Sequence, residues 1–89
     1  MDKIEAARRA AQDLAQAEKA MQPHKPQIDA FMQDVDAPMD HEAQAAFEDW
    51  AMCRNQVNKA FRRAGIGYDE AWSSANYLRA AQLQLEKVR

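Results

Sequence analysis

Apolar residues recur along this chain three and four positions apart, the spacing of one face of a helix. From about Asp2 to Met21, the positions Ile4, Ala7, Ala11, Leu14, Glu18 and Met21 form one such face, with Glu18 the only charge on it. The run Gln22-Pro23-His24-Lys25-Pro26 then predicts a break, because proline lacks a backbone N–H and restricts the residue before it. A short second helix starts with Pro26 in its first turn. It carries Ile28, Phe31, Met32 and Val35 on a narrow stripe and stops before Asp36-Ala37-Pro38.

A third helix is predicted from an Asp40 N-cap to Ala64, with Phe47, Trp50, Arg54, Val57, Phe61 and Ala64 as its stripe. Asp40 can accept from the free N–H groups of the first turn, and Glu42 there complements the helix dipole, as Arg62 and Arg63 do in the last turn. Ala64-Gly65-Ile66 reads as a Schellman stop. The fourth helix is expected to be capped by Asp69 or Gly67 and to run to the C-terminus. The short Gly65–Tyr68 link then makes helices three and four an antiparallel hairpin. On the fourth helix Ala71, Ala75, Leu78, Leu85 and Val88 make one stripe. Tyr68, Trp72 and Leu83 lie roughly 100° to one side of it. An arc that wide touches two neighbouring helices, or one neighbour and a partner anchored by Trp72 and Leu83. The expected fold is therefore all-α: one domain over residues 1–89, a compact bundle of three long helices and one short helix.

Composition changes this picture in one respect. Nineteen of the 89 residues are alanine and thirteen are Leu, Ile, Val or Phe, so helix is favoured almost everywhere while the core is thin. A small domain with few large side chains often completes its core by oligomerising or binding a partner, which makes association the expected function and a homo-oligomer one form of it. Cys53 is the only cysteine, so no disulfide forms within the chain, as suits a reducing compartment. The first nine residues hold no apolar run of a signal peptide, and no apolar stretch is long enough to span a membrane. A cytoplasmic location, no membrane partner and a bacterial setting are the expectations.

Charge is distributed unevenly. Residues 24–50 hold Asp29, Asp34, Asp36, Asp40, Glu42, Glu48 and Asp49 against Lys25, whereas residues 51–63 hold Arg54, Lys59, Arg62 and Arg63. The acidic stretch is either a solvated loop and helix start or a surface that docks on a basic partner. Its candidate binding residues are Asp34, Asp36, Asp40, Glu42, Glu48 and Asp49, with Trp72 and Leu83 as the alternative face. Asp34-x-Asp36 is no calcium loop, because Pro38 stands where a third oxygen ligand is required and Met39 where the turn glycine is. His24, His41 and Cys53 lack metal-site spacing, and Cys53 on a mid-helix stripe reads as a small core residue. No phosphate loop or paired catalytic carboxylates are present, so neither an enzyme nor a cofactor is expected. Glu18 and Arg54, each on an apolar stripe, either pair between helices and fix their register or reach out to solvent.

Phe61-Arg62-Arg63-Ala64-Gly65-Ile66, followed by Ala71 and Ser74, resembles the helix-turn-helix of phage repressors. The resemblance implies a recognition helix opening near Asp69-Glu70. It covers under a quarter of the chain and departs from the pattern at Phe61, where a small residue belongs. The acids at the start of that helix and the net charge of −2 also oppose DNA, so nucleic acid is not the expected partner. The expected function is instead stoichiometric binding to a larger protein or complex, as an inhibitor or adaptor acting by occlusion. Phage-encoded antagonists of bacterial defence, anti-CRISPR proteins among them, share this size and class. A helix-turn-helix regulator and a self-assembling structural component are the alternatives.

Overall fold

A computed structural model describes residues 2–88, and every element among them is helical. Helix α1 spans Lys3–Met21, α2 Lys25–Gln33, α3 His41–Ala64 and α4 Ser74–Lys87, with a single 3₁₀ turn at Gln22–His24 joining α1 to α2. The Asp2 carboxylate caps α1 by accepting from Ile4 N at 2.8 Å, and Asp40 caps α3 by accepting from Ala43 N at 2.8 Å. Both caps occur where a short acceptor precedes a helical run in the sequence. The Schellman stop also forms. Gly65 takes φ +70°, Gly65 N donates to the Arg62 carbonyl, and Ile66 N donates to that of Phe61. Ile66 folds back until it is 6% exposed.

The proline pair bends the chain without ending the helix path. Pro23 and Pro26 each fall in a first turn, of the 3₁₀ segment and of α2, where a missing N–H costs little. Asp34 in an extended conformation ends α2 two residues before Asp36, and the Asp34 carboxylate accepts from Asp36 N in a tight turn.

Helix α1 is the common neighbour of α3 and α4. Its inner face, Ala7, Ala11, Leu14 and Ala17, is almost free of solvent, and the three alanines let the other helices come close. Met21 and Glu18 lie at the level of Trp50, so α1 and α3 run antiparallel. Glu18 also meets Ser74, so α4 starts beside the C-terminal end of α1 and runs back along it. Helices α3 and α4 therefore point the same way, and the expected antiparallel hairpin is not formed. They pack through side chains: Phe61 and Tyr77 stack edge to face at 5.1 Å, and the Tyr77 hydroxyl donates to Asn58 Oδ1 at 2.5 Å.

The reversal is made by residues 65–73, which run back along α3 before α4 begins. The expected N-cap at Asp69 is displaced by four residues to Ser73, because the backbone carbonyls that a helix there would use have other donors. Arg54 donates to the carbonyl oxygens of Glu70 and Trp72, the latter at 2.8 Å, while its guanidinium lies over the Trp50 ring, 5.3 Å from its centroid. The Asp69 carboxylate accepts from Ala71 N, and the Asp69 carbonyl lies 3.2 Å from the Tyr77 hydroxyl. Arg54 thus pairs with the link and not with Glu18. Arg54→Ala is expected to lower the melting temperature by several degrees more than Arg62→Ala, whose side chain is exposed in the last turn of α3. Equal shifts in a thermal melt followed by circular dichroism would show that Arg54 does not hold the link.

With the start of α4 shifted, its buried face is Ser74, Tyr77, Ala81 and Leu85. The expected stripe of Ala71, Ala75, Leu78, Leu85 and Val88 holds only at Leu85 and, in part, at Leu78; Ala71, Ala75 and Val88 are exposed. Tyr77 is fully buried in an aromatic group with Phe61, Tyr68 and Trp72, which fills the space between α3 and α4. The helix-turn-helix comparison fails at the same place. Nine residues separate α3 from α4, and Asp69-Glu70 lies in the link, not at the head of a helix.

Candidate functional site

The molecule measures 48 × 18 × 17 Å, and its long axis is set by α3. Because α4 starts at the level of Glu18 and runs back along α1, it covers the body formed by α1 and the C-terminal part of α3 and leaves the N-terminal part of α3 uncovered. Beyond that level α2 packs on the N-terminal half of α3 and the two project as an arm. The arm has its own small core: Ile28 and Ala43 are buried, and Phe31 meets Phe47 edge to face at 5.4 Å. Gln27 ties its two helices at the tip, since its side-chain carbonyl accepts from Asp40 N and its amide donates to the Asp40 carboxylate, both at 2.7 Å.

The structure brings the six acidic candidates together on this arm. Asp34, Asp36, Asp40, Glu42, Glu48 and Asp49 are all exposed there, joined by Asp29 on α2. They are not equivalent. Asp34 and Asp40 accept backbone hydrogen bonds that shape the turn and cap α3. The amide of Gln27, and then the Ala43 N–H, hold the Asp40 carboxyl below its ordinary value of 3.8. Asp36, Glu42 and Asp49 have no such structural bond, and Glu48 accepts only from the Gln44 amide at 3.3 Å. These four carry charge that is free to meet a partner. Lys25 and Asp29 form an exposed pair at 3.7 Å, which leaves the balance on the arm strongly negative.

At the base of the arm, where α4 begins, lies a cleft of about 270 Å³. Its apolar walls are Met21, Ile28 and Trp50, and Glu18, Lys25 and Asp29 stand at its edge. Glu18 is held in place there. Its Oε1 accepts from Ser74 N at 2.9 Å and its Oε2 accepts from Ser74 Oγ at 2.6 Å. Ser73, the residue at the N-cap position of α4, makes no side-chain cap bond, so the carboxylate of α1 caps α4 from across the chain.

The alternative face does not exist as one surface. Trp72 sits in the link, half-buried, with its ring 5.5 Å from that of Tyr77, whereas Leu83 is 49% exposed on the outer side of α4. A shared helical face required both to be on one helix, and Trp72 is outside it. The features that sequence reasoning missed are the Glu18 cap and the core position of Tyr77. A Ser73-Ser74 pair ahead of Tyr77, Ala81 and Leu85, spaced four apart, is the signal that marks the true start of α4.

Cys53 is half-buried against the core, and burial, then Asp49 and Asp13, push its thiol above the ordinary value of 9.0, so it stays protonated and weakly nucleophilic at neutral pH. Among the described residues no three His, Cys, Asp or Glu side chains gather as metal ligands, and no helix is long and apolar enough to cross a membrane. Comparison with protein-family models, curated proteins and solved structures returned no match.

Proposed function

We propose that this protein is a non-enzymatic binding module that docks its acidic arm on a basic surface of a larger protein or complex and occludes it. The observation that supports this reading is the placement of the free carboxylates Asp36, Glu42, Glu48 and Asp49 on a two-helix projection that α4 leaves uncovered. Carboxylates on a projecting arm reach a concave or flat cationic surface that a flush patch would not, and they steer encounter before contact. The apolar cleft at the base of the arm gives a partner side chain somewhere to bury once charge has brought it in. An inhibitor or adaptor of the kind phages encode against bacterial defence, anti-CRISPR proteins included, fits a small helical bundle used in this way.

The test is capture from a nuclease-treated bacterial lysate, read by mass spectrometry, with the wild type and the variant Asp36→Lys/Glu42→Lys/Glu48→Lys/Asp49→Lys. These positions leave the turn at Asp34 and the cap at Asp40 intact. The wild type is expected to recover one protein in stoichiometric amount and the variant to recover less than a tenth as much. Equal recovery by a folded variant would show that the arm is not the docking surface. A labelled duplex shifted at low salt, with steep salt dependence, would favour the DNA-binding alternative instead.

A further inference from the structure

The charge separation seen along the sequence becomes, in the structure, a separation between the two ends of the molecule. The acidic arm forms one end. The other end gathers the N-terminal half of α1, the last turns of α3 and the C-terminal half of α4, with Lys3, Arg8, Arg9, Lys59, Arg62, Arg63 and Lys87 against Asp2, Glu5 and Glu86. The two ends lie at opposite extremes of a 48 Å axis. The Debye length is about 8 Å at physiological ionic strength, so neither end neutralises the other within one chain. Each is available to a partner of opposite sign.

A second observation falls at the same two places. Of the exposed large apolar side chains, Met32 and Val35 are at the end of α2 and in the turn after it, on the acidic arm. Leu83 and Val88 are at the C-terminal end of α4, on the basic end. Among the described residues, only Met52 lies between them. Each end therefore pairs an excess of one sign of charge with uncovered apolar surface, and the two signs are complementary.

We infer that the chain self-associates through unlike ends, the basic end of one copy docking on the acidic arm of another. This rests on the reading of the arm as a docking surface and names its occupant when no foreign target is present: a second copy. Contact between like ends sets charges of one sign against each other, so only unlike ends meet favourably. Two copies laid antiparallel make the contact twice and close with twofold symmetry, and repetition in one direction extends an open chain. A foreign basic target competes for the same arm, so self-association holds the arm covered until the target arrives.

The test is a charge swap read by light scattering and sedimentation. The arm variant is the four-lysine protein described above. The end variant carries Arg9→Glu, Lys59→Glu, Arg63→Glu and Lys87→Glu, all exposed positions. The wild type is expected to show at least twice the monomer mass at about 0.01 M salt, where the Debye length is about 30 Å, and to fall to monomer at about 1 M, where it is about 3 Å. Each variant alone is expected to remain monomeric at both, with a helical spectrum. An equimolar mixture of the two is expected to regain the wild-type mass, because one contact is restored with its signs exchanged and the other pairs the unaltered arm of one variant with the unaltered end of the other. A wild type that is monomeric at low salt, or a mixture that stays monomeric while both variants are folded, overturns the inference. Lysate capture on the wild-type arm then still decides the docking reading separately. Association unchanged at high salt overturns the electrostatic contact as its basis.

Discussion

Tyr77→Ala is expected to destabilise the protein by about 4 kcal/mol, the cost of removing a large aromatic side chain from a closed core. Tyr77 is fully buried, its ring touches those of Phe61, Tyr68 and Trp72, and its hydroxyl reaches Asn58. The fold has few other large side chains to absorb the loss, since the inner face of α1 is mostly alanine and cannot expand into a cavity. A chain of this length has a total stability of about 4–13 kcal/mol at the usual 0.05–0.15 kcal/mol per residue. The variant is thus left with about 0–9 kcal/mol and is expected to unfold at a much lower urea concentration than the wild type. Tyr77→Phe keeps the ring and loses only the hydroxyl bonds, with an expected cost of about 1 kcal/mol. Urea denaturation followed by far-ultraviolet circular dichroism separates the two. A Tyr77→Ala protein within 1 kcal/mol of the wild type would show that the aromatic group does not close the core.

Glu18→Ala carries the second largest expected effect, about 2 kcal/mol, or a fall in melting temperature of roughly 10 °C for a domain of this size. Ordinarily the residue ahead of a helix supplies its cap, and Ser73 has the right side chain for it. Here the Ser73 side chain makes no cap bond, and Glu18 of α1 takes both the Ser74 N–H and its hydroxyl. The contrast gives the prediction its force: Ser73→Ala is expected to change the melting temperature by little, and Glu18→Ala by much. The reverse order would show that α4 is capped locally. Loss of Glu18 also removes one wall of the cleft at the base of the arm, so the Glu18→Ala protein reports on whether arm and body are held as one piece.

Both residues show where sequence pattern stops being informative. Helix α3 was legible to both ends because its signals are local: Asp40 accepts from an N–H three residues on, and Gly65 adopts the left-handed turn that other residues avoid. The end of α1 and the short α2 were legible for the same reason, although proline placed in first turns bends the path where the pattern alone suggested a break. The start of α4 was not legible. Asp69-Glu70 looks like a helix start, and the residues that prevent it are Arg54, sixteen and eighteen positions away from the carbonyls it binds, and Glu18, fifty-six positions from Ser74. With the N-cap four residues later, at Ser73, the helix packs on α1 and α3 through Ser74, Tyr77, Ala81 and Leu85, a face the local pattern does not single out, and Ala71, Ala75 and Val88 are left outside it.

The candidate site divides in the same way. The acidic residues are near neighbours in the chain, so a local reading was enough to group them. Trp72 and Leu83 were joined only by an assumed helical phase, and the link between α3 and α4 removes it. What the sequence determined by itself is the helical class, the caps and stop of α3, and the uneven charge, because each follows from residues within a few positions of one another. Only the tertiary structure decided that α3 and α4 run parallel, that α2 and the N-terminal part of α3 are left as an uncovered arm, and that the charges lie at opposite ends. These depend on hydrogen bonds and aromatic contacts between residues far apart in the chain, whose free energy is gained only when the whole chain has folded.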